Sequence, residues 1–178
     1  MGAQDPAQRI TCRFLKGLSV ARVGLAGPPP QGSAAHVGLV SFLLETTVVS
    51  EWTKPRPNAG LVGWLAQVDE SEVFLSVVTF AELRRGIERL PGGARRRRLD
   101  EWLRGELPLR FEARIVGVDG AIADEWGRLI ARAEARGRTI HAMDALIAAT
   151  AHVHGLTLVT RNTAGFEASW QFLLNPWT

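Results

Sequence analysis

The run Ser41-Phe42-Leu43-Leu44-Glu45-Thr46-Thr47-Val48-Val49-Ser50-Glu51 decides how the chain is read. A short apolar strand, Phe42 to Leu44, stops on a carboxylate and two hydroxyls, and Val48 and Val49 then restore apolar character. In an open α/β sheet, ligands sit in the crevice beyond the carboxyl ends of the strands. A strand that ends on Glu45 therefore aims that acid at the functional edge. The bland alternative is a turn or helix-cap residue, and this stretch alone leaves both readings open.

Working outward, strands and helices alternate. Asn58 is placed to cap a helix over 59–68, with Leu61, Val62, Leu65 and Val68 on one face. Val73 to Val77 reads as a buried strand, followed by Thr79-Phe80-Ala81-Glu82, whose spacing suits a capping box. That helix should run to Pro91-Gly92-Gly93, and a further helix should span 94–105. Residues 114–118 read as a strand, with Asp119 capping a long helix to about Arg136 that carries Trp126, Leu129, Ile130 and Ala133 on one side. The next helix spans 139–154, a strand spans 156–160, and 172–174 supplies an edge strand. Such alternation implies an α/β fold, a mainly parallel central sheet flanked by helices on both faces.

Composition narrows the class. At 178 residues with 46% hydrophobic content the chain is long enough for one domain with its own core. A single cysteine, Cys12, excludes an internal disulfide and suits a reducing cytoplasm. No apolar run reaches the roughly 20 residues a membrane span needs, so a membrane role is not expected. Residues 1–39 hold four basic side chains (Arg9, Arg13, Lys16, Arg22) against Asp5, whereas residues 40–178 carry 17 of each sign. The basic pI of 9.9 is thus no argument for nucleic acid by itself. With Gly27 to Ser33 of linker composition, 1–39 is expected to be a flexible extension, upstream of a true start at Val40 in one reading, and 40–178 the functional domain.

Three acids stand at related places: Glu45 after the first strand, Glu82 early in the helix after the second, and Asp144 in the first turns of a late helix. Asn162 follows the strand after that helix. In a doubly wound sheet all four can converge on one edge. Carboxylates held close repel, and a hard divalent cation relieves this while activating water and neutralising phosphodiester charge. Each acid also has a local explanation, since Glu82 and Asp144 near helix N-termini are favoured by the macrodipole alone.

Four segments, FLLETTVVSE (42–51), VTFAELRRG (78–86), MDALIAA (143–149) and LVTRNT (158–163), resemble the signature blocks of the PIN-domain family and occur in that family's order. With NPW (175–177), the spacing resembles its FitB/VapC-type branch, the toxins of bacterial type II toxin–antitoxin pairs. The resemblance implies a Mg²⁺- or Mn²⁺-dependent endoribonuclease, dimeric, cytoplasmic and neutralised by a cognate antitoxin. It implies Glu45, Glu82 and Asp144 as metal ligands, with Asn162 lining the pocket near Thr160 and Thr163. Departures accompany it: Glu45 and Thr47 stand where the family has Asp and Asn, and a fourth acid is absent at Asn162 and at Gly165. These motivate a rival expectation, a catalytically impaired module that binds RNA or antitoxin without cutting.

Between residues 77 and 114 there are ten Arg against six acids. Arg84, Arg85 and Arg161 are the expected RNA contacts, because guanidinium pairs bidentately with phosphate. For Arg95 to Arg98 a solvated helix face, paired Arg96–Asp100 and Arg97–Glu101, is the competing account. His152 and His154 point to different sides of a helix, His141 could approach Asp144, and the six Trp suit core or dimer contacts.

Overall fold

The computed structural model describes residues 40–167 and 170–178; the expected extension over 1–39 lies outside the described residues. Strand β1 (Phe42–Leu44) leads into helix α1 (Thr46–Glu51), and α2 (Ala59–Leu65) returns the chain to β2 (Val73–Ser76). Then come α3 (Val77–Glu88), α4 (Ala94–Glu101), α5 (Leu107–Phe111) and β3 (Ile115–Val116). Helices α6 (Gly120–Ala135) and α7 (Ala142–His154) precede β4 (Thr157–Val159), α8 (Thr163–Phe166) and β5 (Leu173–Leu174). The five strands form one sheet in the order β3-β2-β1-β4-β5, every pairing parallel.

The short strands are apolar on both faces because both are covered. Leu43, Phe74 and Leu158 point into a core shared with Ile122 and Leu129 of α6 and Ile147 of α7. Their neighbours Leu44, Leu75 and Val159 point the other way, against Val48 of α1, Leu61 of α2, and Leu103 and Phe111. The period-2 alternation of a strand thus feeds two cores from three residues each. Trp170 is buried and donates from its indole nitrogen to the Leu156 carbonyl at 3.1 Å. The other five Trp are partly buried against the two cores, as apolar faces required.

Three local expectations change. The capping box at Thr79 does not form. Ser76 ends β2 and caps α3, its hydroxyl accepting from the Val78 amide at 3.2 Å, so helix begins at Val77. Thr79 is instead fully buried inside the helix, 3.5 Å from the Leu44 carbonyl. Second, α4 does not stop near 105: it widens into a π turn over Trp102–Glu106 and re-enters α geometry as α5. Pro108 is accepted there because it falls in the first turn of α5. Third, the 139–154 helix starts only at Ala142, with His141 at the N-cap position but making no side-chain cap bond.

Candidate active site

The acid centre is assembled at the carboxyl ends of β1, β2 and β4. Glu45 follows β1 directly and is the N-cap of α1, so the cap reading and the functional-edge reading are both realised by one side chain. Only 5% of it is exposed. Its Oε2 accepts from the Thr47 amide at 3.0 Å, from the Thr47 hydroxyl, and from the Thr160 hydroxyl beyond β4 at 3.0 Å. The Glu45 amide donates to the Val159 carbonyl at 3.0 Å, which locks the end of β1 to the end of β4.

Glu82 is half-buried on the second turn of α3, which packs on α1 and α7. Because α3 is capped by Ser76, Glu82 is not consumed as a capping residue. Its Oε2 accepts instead from the Thr46 hydroxyl of α1. Thus Thr46 and Thr47, adjacent in sequence, each hold one acid. Asp144 lies half-buried in the first turn of α7.

The electrostatics show which acids share a neighbourhood. Burial pushes the Glu45 carboxyl above its usual range, against the hydrogen bonds of Thr47 and Thr160, and the Glu82 charge pushes it further. Burial also raises Asp144, the Glu82 charge adds to that, and His141 acts in the opposite direction. Glu82 is therefore the acid in the middle, felt by both others. Residues separated by 37 and 62 positions in sequence are brought into one field, with ionisation disfavoured at both flanks.

The donor chemistry fits a hard divalent cation, since all three side chains offer carboxylate oxygens and two of them are held above their usual range. Among the described residues, though, no group of three or more His, Cys, Asp or Glu side chains stands in a metal-holding arrangement. Glu45 directs Oε2 into the three donors from Thr47 and Thr160, which leaves Oε1 as its remaining ligand atom.

Asn162 is placed differently from the acids. It is exposed, and its Oδ1 caps α8 by accepting from the Gly165 amide at 3.3 Å. Its own amide donates to the Thr160 hydroxyl at 3.0 Å, so it braces the residue that braces Glu45. A Cβ at Gly165 would lie 2.4 Å from Asn162 Nδ2, so an acid at 165 would displace this cap.

Among the arginines, Arg84 is committed to Asp100 and, at 3.3 Å, to Glu88. Arg85 and Arg161 are exposed, and the Arg161 amide reaches the Thr47 hydroxyl at 3.4 Å. The expected Arg96–Asp100 pairing is replaced: Arg96 bonds Glu88, and Asp100 takes Arg84 and Arg104. The α3 and α4 helices face each other, so the cross-helix pairs Arg84–Asp100 and Arg96–Glu88 stand beside the i,i+4 pairs Arg84–Glu88 and Arg104–Asp100.

Sequence reasoning missed the Thr46–Glu82 bond; the signal was present as a hydroxyl immediately after a strand-ending acid. It also missed Glu125, a buried carboxylate on α6 bonded to Arg132 at 2.6 Å and to His152 Nδ1 at 2.7 Å. Its partners lie on α6 itself, at Arg132, and on the next helix, at His152, and the sequence does not show which basic residue of the second helix reaches it.

A family model for the PIN domain matches residues 42–168. The toxin FitB of Neisseria gonorrhoeae is 38% identical over 136 residues, covering 76% of this chain and 98% of that protein. The VapC ribonuclease Y4jK of Sinorhizobium fredii is 37% identical over 137 residues, 76% of this chain and 97% of that protein. In a solved structure of FitAB bound to a DNA fragment, one chain superposes with a TM-score of 0.72 at 36% identity, covering 77% of this chain and 96% of that one. The four sequence blocks, the parallel five-stranded sheet and this match agree: the chain belongs to the PIN-domain family.

Proposed function

We propose that the protein is a metal-dependent endoribonuclease, the toxin of a type II toxin–antitoxin pair, acting in the cytoplasm as a homodimer and held inactive by a cognate antitoxin. The observation that carries the reading is the convergence of Glu45, Glu82 and Asp144, from three separate segments, in one field that disfavours ionisation at Glu45 and Asp144. Such an arrangement costs stability and is kept where a cation is to be received. The toxin and ribonuclease names of the relatives support it. No helix among the described residues is long and apolar enough to cross a membrane.

Glu45, Glu82 and Asp144 would hold Mg²⁺ or Mn²⁺, which when bound supplies charge neutralisation at the phosphodiester and activation of water. The chain's own residues set this up. Thr47 and Thr160 fix one oxygen of Glu45, and Thr46 fixes one of Glu82. Asn162 orients Thr160 through its amide, a supporting role, while its side chain caps α8. Arg85 and Arg161, exposed beside the acids, steady the phosphate backbone; Arg84, already paired, braces α3 against α4. The extra methylene of Glu45 is accommodated by Thr47 taking up its oxygen, so the departures from the family pattern act as a matched pair.

The test is cleavage of a mixed structured-RNA pool by the purified full chain with Mg²⁺ or Mn²⁺, beside a chelator control and Asp144→Ala. Cutting that needs the metal and is lost in Asp144→Ala is expected. A parent that never cuts, with cutting gained by Glu45→Asp, would replace this reading by the impaired-module one.

A further inference from the structure

A second polar feature lies outside the acid centre. Where α3 ends and α4 begins, an open cleft of about 390 Å³ is lined by Gly92, Gly93, Arg96, Arg97 and Arg104, with Glu88 and Asp100. Its charges do not balance. Glu88 is shared by Arg84 and Arg96, and Asp100 by Arg84 and Arg104. Three guanidiniums therefore draw on two carboxylates. Arg97, which also lines the cleft, is exposed and has no ion-pair partner among the described residues. The lining itself keeps a surplus of one positive charge, three guanidiniums against two carboxylates, and Arg84, which bonds both acids from outside the lining, adds another.

The cleft is also shaped for close approach. A Cβ added at Gly92 or Gly93 would meet nothing within 4 Å, so packing does not require these glycines. Gly93 has φ 153°, a conformation glycine adopts readily, and it opens α4 without a side-chain cap. The Gly92–Gly93 turn and the guanidiniums of Arg96, Arg97 and Arg104 thus border the same open space. Arg96 is fixed in place by Glu88 and by the Leu90 carbonyl at 3.3 Å, so one wall is preset.

The cleft is joined to the acids by α3 itself. Arg85 and Arg89 follow Glu82 at i+3 and i+7, on the same helix face, and both are exposed. From Glu82 to Glu88 the helix rises about 9 Å and turns about 120°, so a strand that reaches both crosses the side of α3 carrying Arg85 and Arg89. We infer that this α3–α4 cleft is a second site for the phosphodiester backbone of single-stranded RNA, anchoring a strand whose scissile bond lies at Glu45, Glu82 and Asp144, with Arg97 as its uncommitted phosphate contact. The inference rests on the ribonuclease reading for its choice of ligand. A cleft with surplus guanidinium charge suits phosphate, and its offset along α3 suits a strand rather than a free ion.

The experiment is fluorescence anisotropy of a labelled oligouridylate of ~20 nucleotides, longer than the 4–16 nucleotides one binding face commonly covers. It uses the full chain carrying Asp144→Ala, across a salt series. Arg97→Ala should weaken binding several-fold and lower the slope of log K against log salt by about one. Arg97→Lys should restore the slope. Arg128→Ala on α6, which removes the same charge from an exposed site paired with Asp124, should leave it unchanged. Equal effects of Arg97→Ala and Arg128→Ala, or no change in slope with Arg97→Ala, would overturn the proposal. Cleavage by the parent is scored separately: an Arg97-dependent slope without cutting keeps the cleft and loses the ribonuclease, and cutting without that slope does the reverse.

Discussion

Glu45 and Glu125 are buried almost equally, at 5% and 7% exposure, yet the protein treats them in opposite ways. For both, burial alone disfavours the charged form. At Glu125 that is outweighed by Arg132 and His152, which bond the carboxylate and hold it below its usual range. At Glu45 the partners are two hydroxyls and an amide, the nearest charge is another acid, and the carboxyl stays above its usual range. Burial therefore does not separate the two acids; the sign of the neighbouring charge does. Glu125 is neutralised by its partners and ties α6 to α7, whereas the charged neighbour of Glu45 is another acid, Glu82.

The largest expected effect tests whether the acids around Glu82 serve the proposed reaction. Asp144→Ala should reduce RNA cleavage by about 10²-fold or more, because several kcal/mol of charge stabilisation at the reacting phosphate go with it. It should do so without lowering the melting temperature in the absence of metal, since it removes a half-buried charge that Glu82 opposes. Initial rates and a thermal melt on the same sample decide. Lost activity together with a collapsed fold would place Asp144 with Glu125 as a structural acid.

Next comes Glu45→Asp. The shorter side chain still caps α1 well, but it withdraws the carboxylate by about one bond length, roughly 1.5 Å, from Thr160 across the β1–β4 junction. A misplacement of that order costs up to about 10²-fold, so activity should fall in a comparison of kcat on one RNA substrate. A rise instead would show that Glu45 and Thr47 are a disarming pair rather than a matched one.

Much of this was legible before any coordinates. The strand-ending acid at 45, the apolar triplets of β1, β2 and β4, and Asp119 as the cap of α6 follow from local chemistry, and each local choice agrees with the parallel sheet. What failed was what depends on partners distant in sequence. Thr79 satisfies the capping-box spacing, yet Ser76 wins because β2 ends one residue earlier than Val77. The extension of α4 through a π turn into α5 is set by packing of Leu103, Leu107 and Phe111 into one core, which no helical period of 3.6 announces. Arg96 chose Glu88 over Asp100 because α3 and α4 face each other. At the site, the acids were readable as one at a strand end and two in early helix turns, but the Thr46–Glu82 bond and the central position of Glu82 required the fold.

On the structural side of the comparison, Glu125→Gln should cost about 1 kcal/mol, the low end for a charged hydrogen-bonded group because Arg132 and His152 are half exposed. For a chain of this size that is about 2–4 °C in melting temperature, with RNA cleavage unchanged. A loss of activity comparable to that of Asp144→Ala would show that α6 and α7 communicate with the acid centre.

The smallest effect is the most discriminating, because its sign differs between the two glutamates. Glu45, raised in the fold, contributes stability that is present below the usual glutamate value of 4.5 and lost as pH rises through its folded value. Metal-free parent should therefore lose ground to Glu45→Gln as pH is raised from about 4 towards neutrality. Glu125, lowered in the fold, contributes stability that is present above 4.5 and lost as pH falls through its folded value. Parent should therefore gain on Glu125→Gln over the same rise in pH. Melting temperatures of the three proteins in one pH series give two difference curves that must slope in opposite directions. Two curves of the same slope would mean that burial, common to both residues, governs their ionisation and that the charges around them do not. A saturating divalent cation should then flatten the Glu45 curve alone, since only that carboxylate stands beside acids that a cation can neutralise.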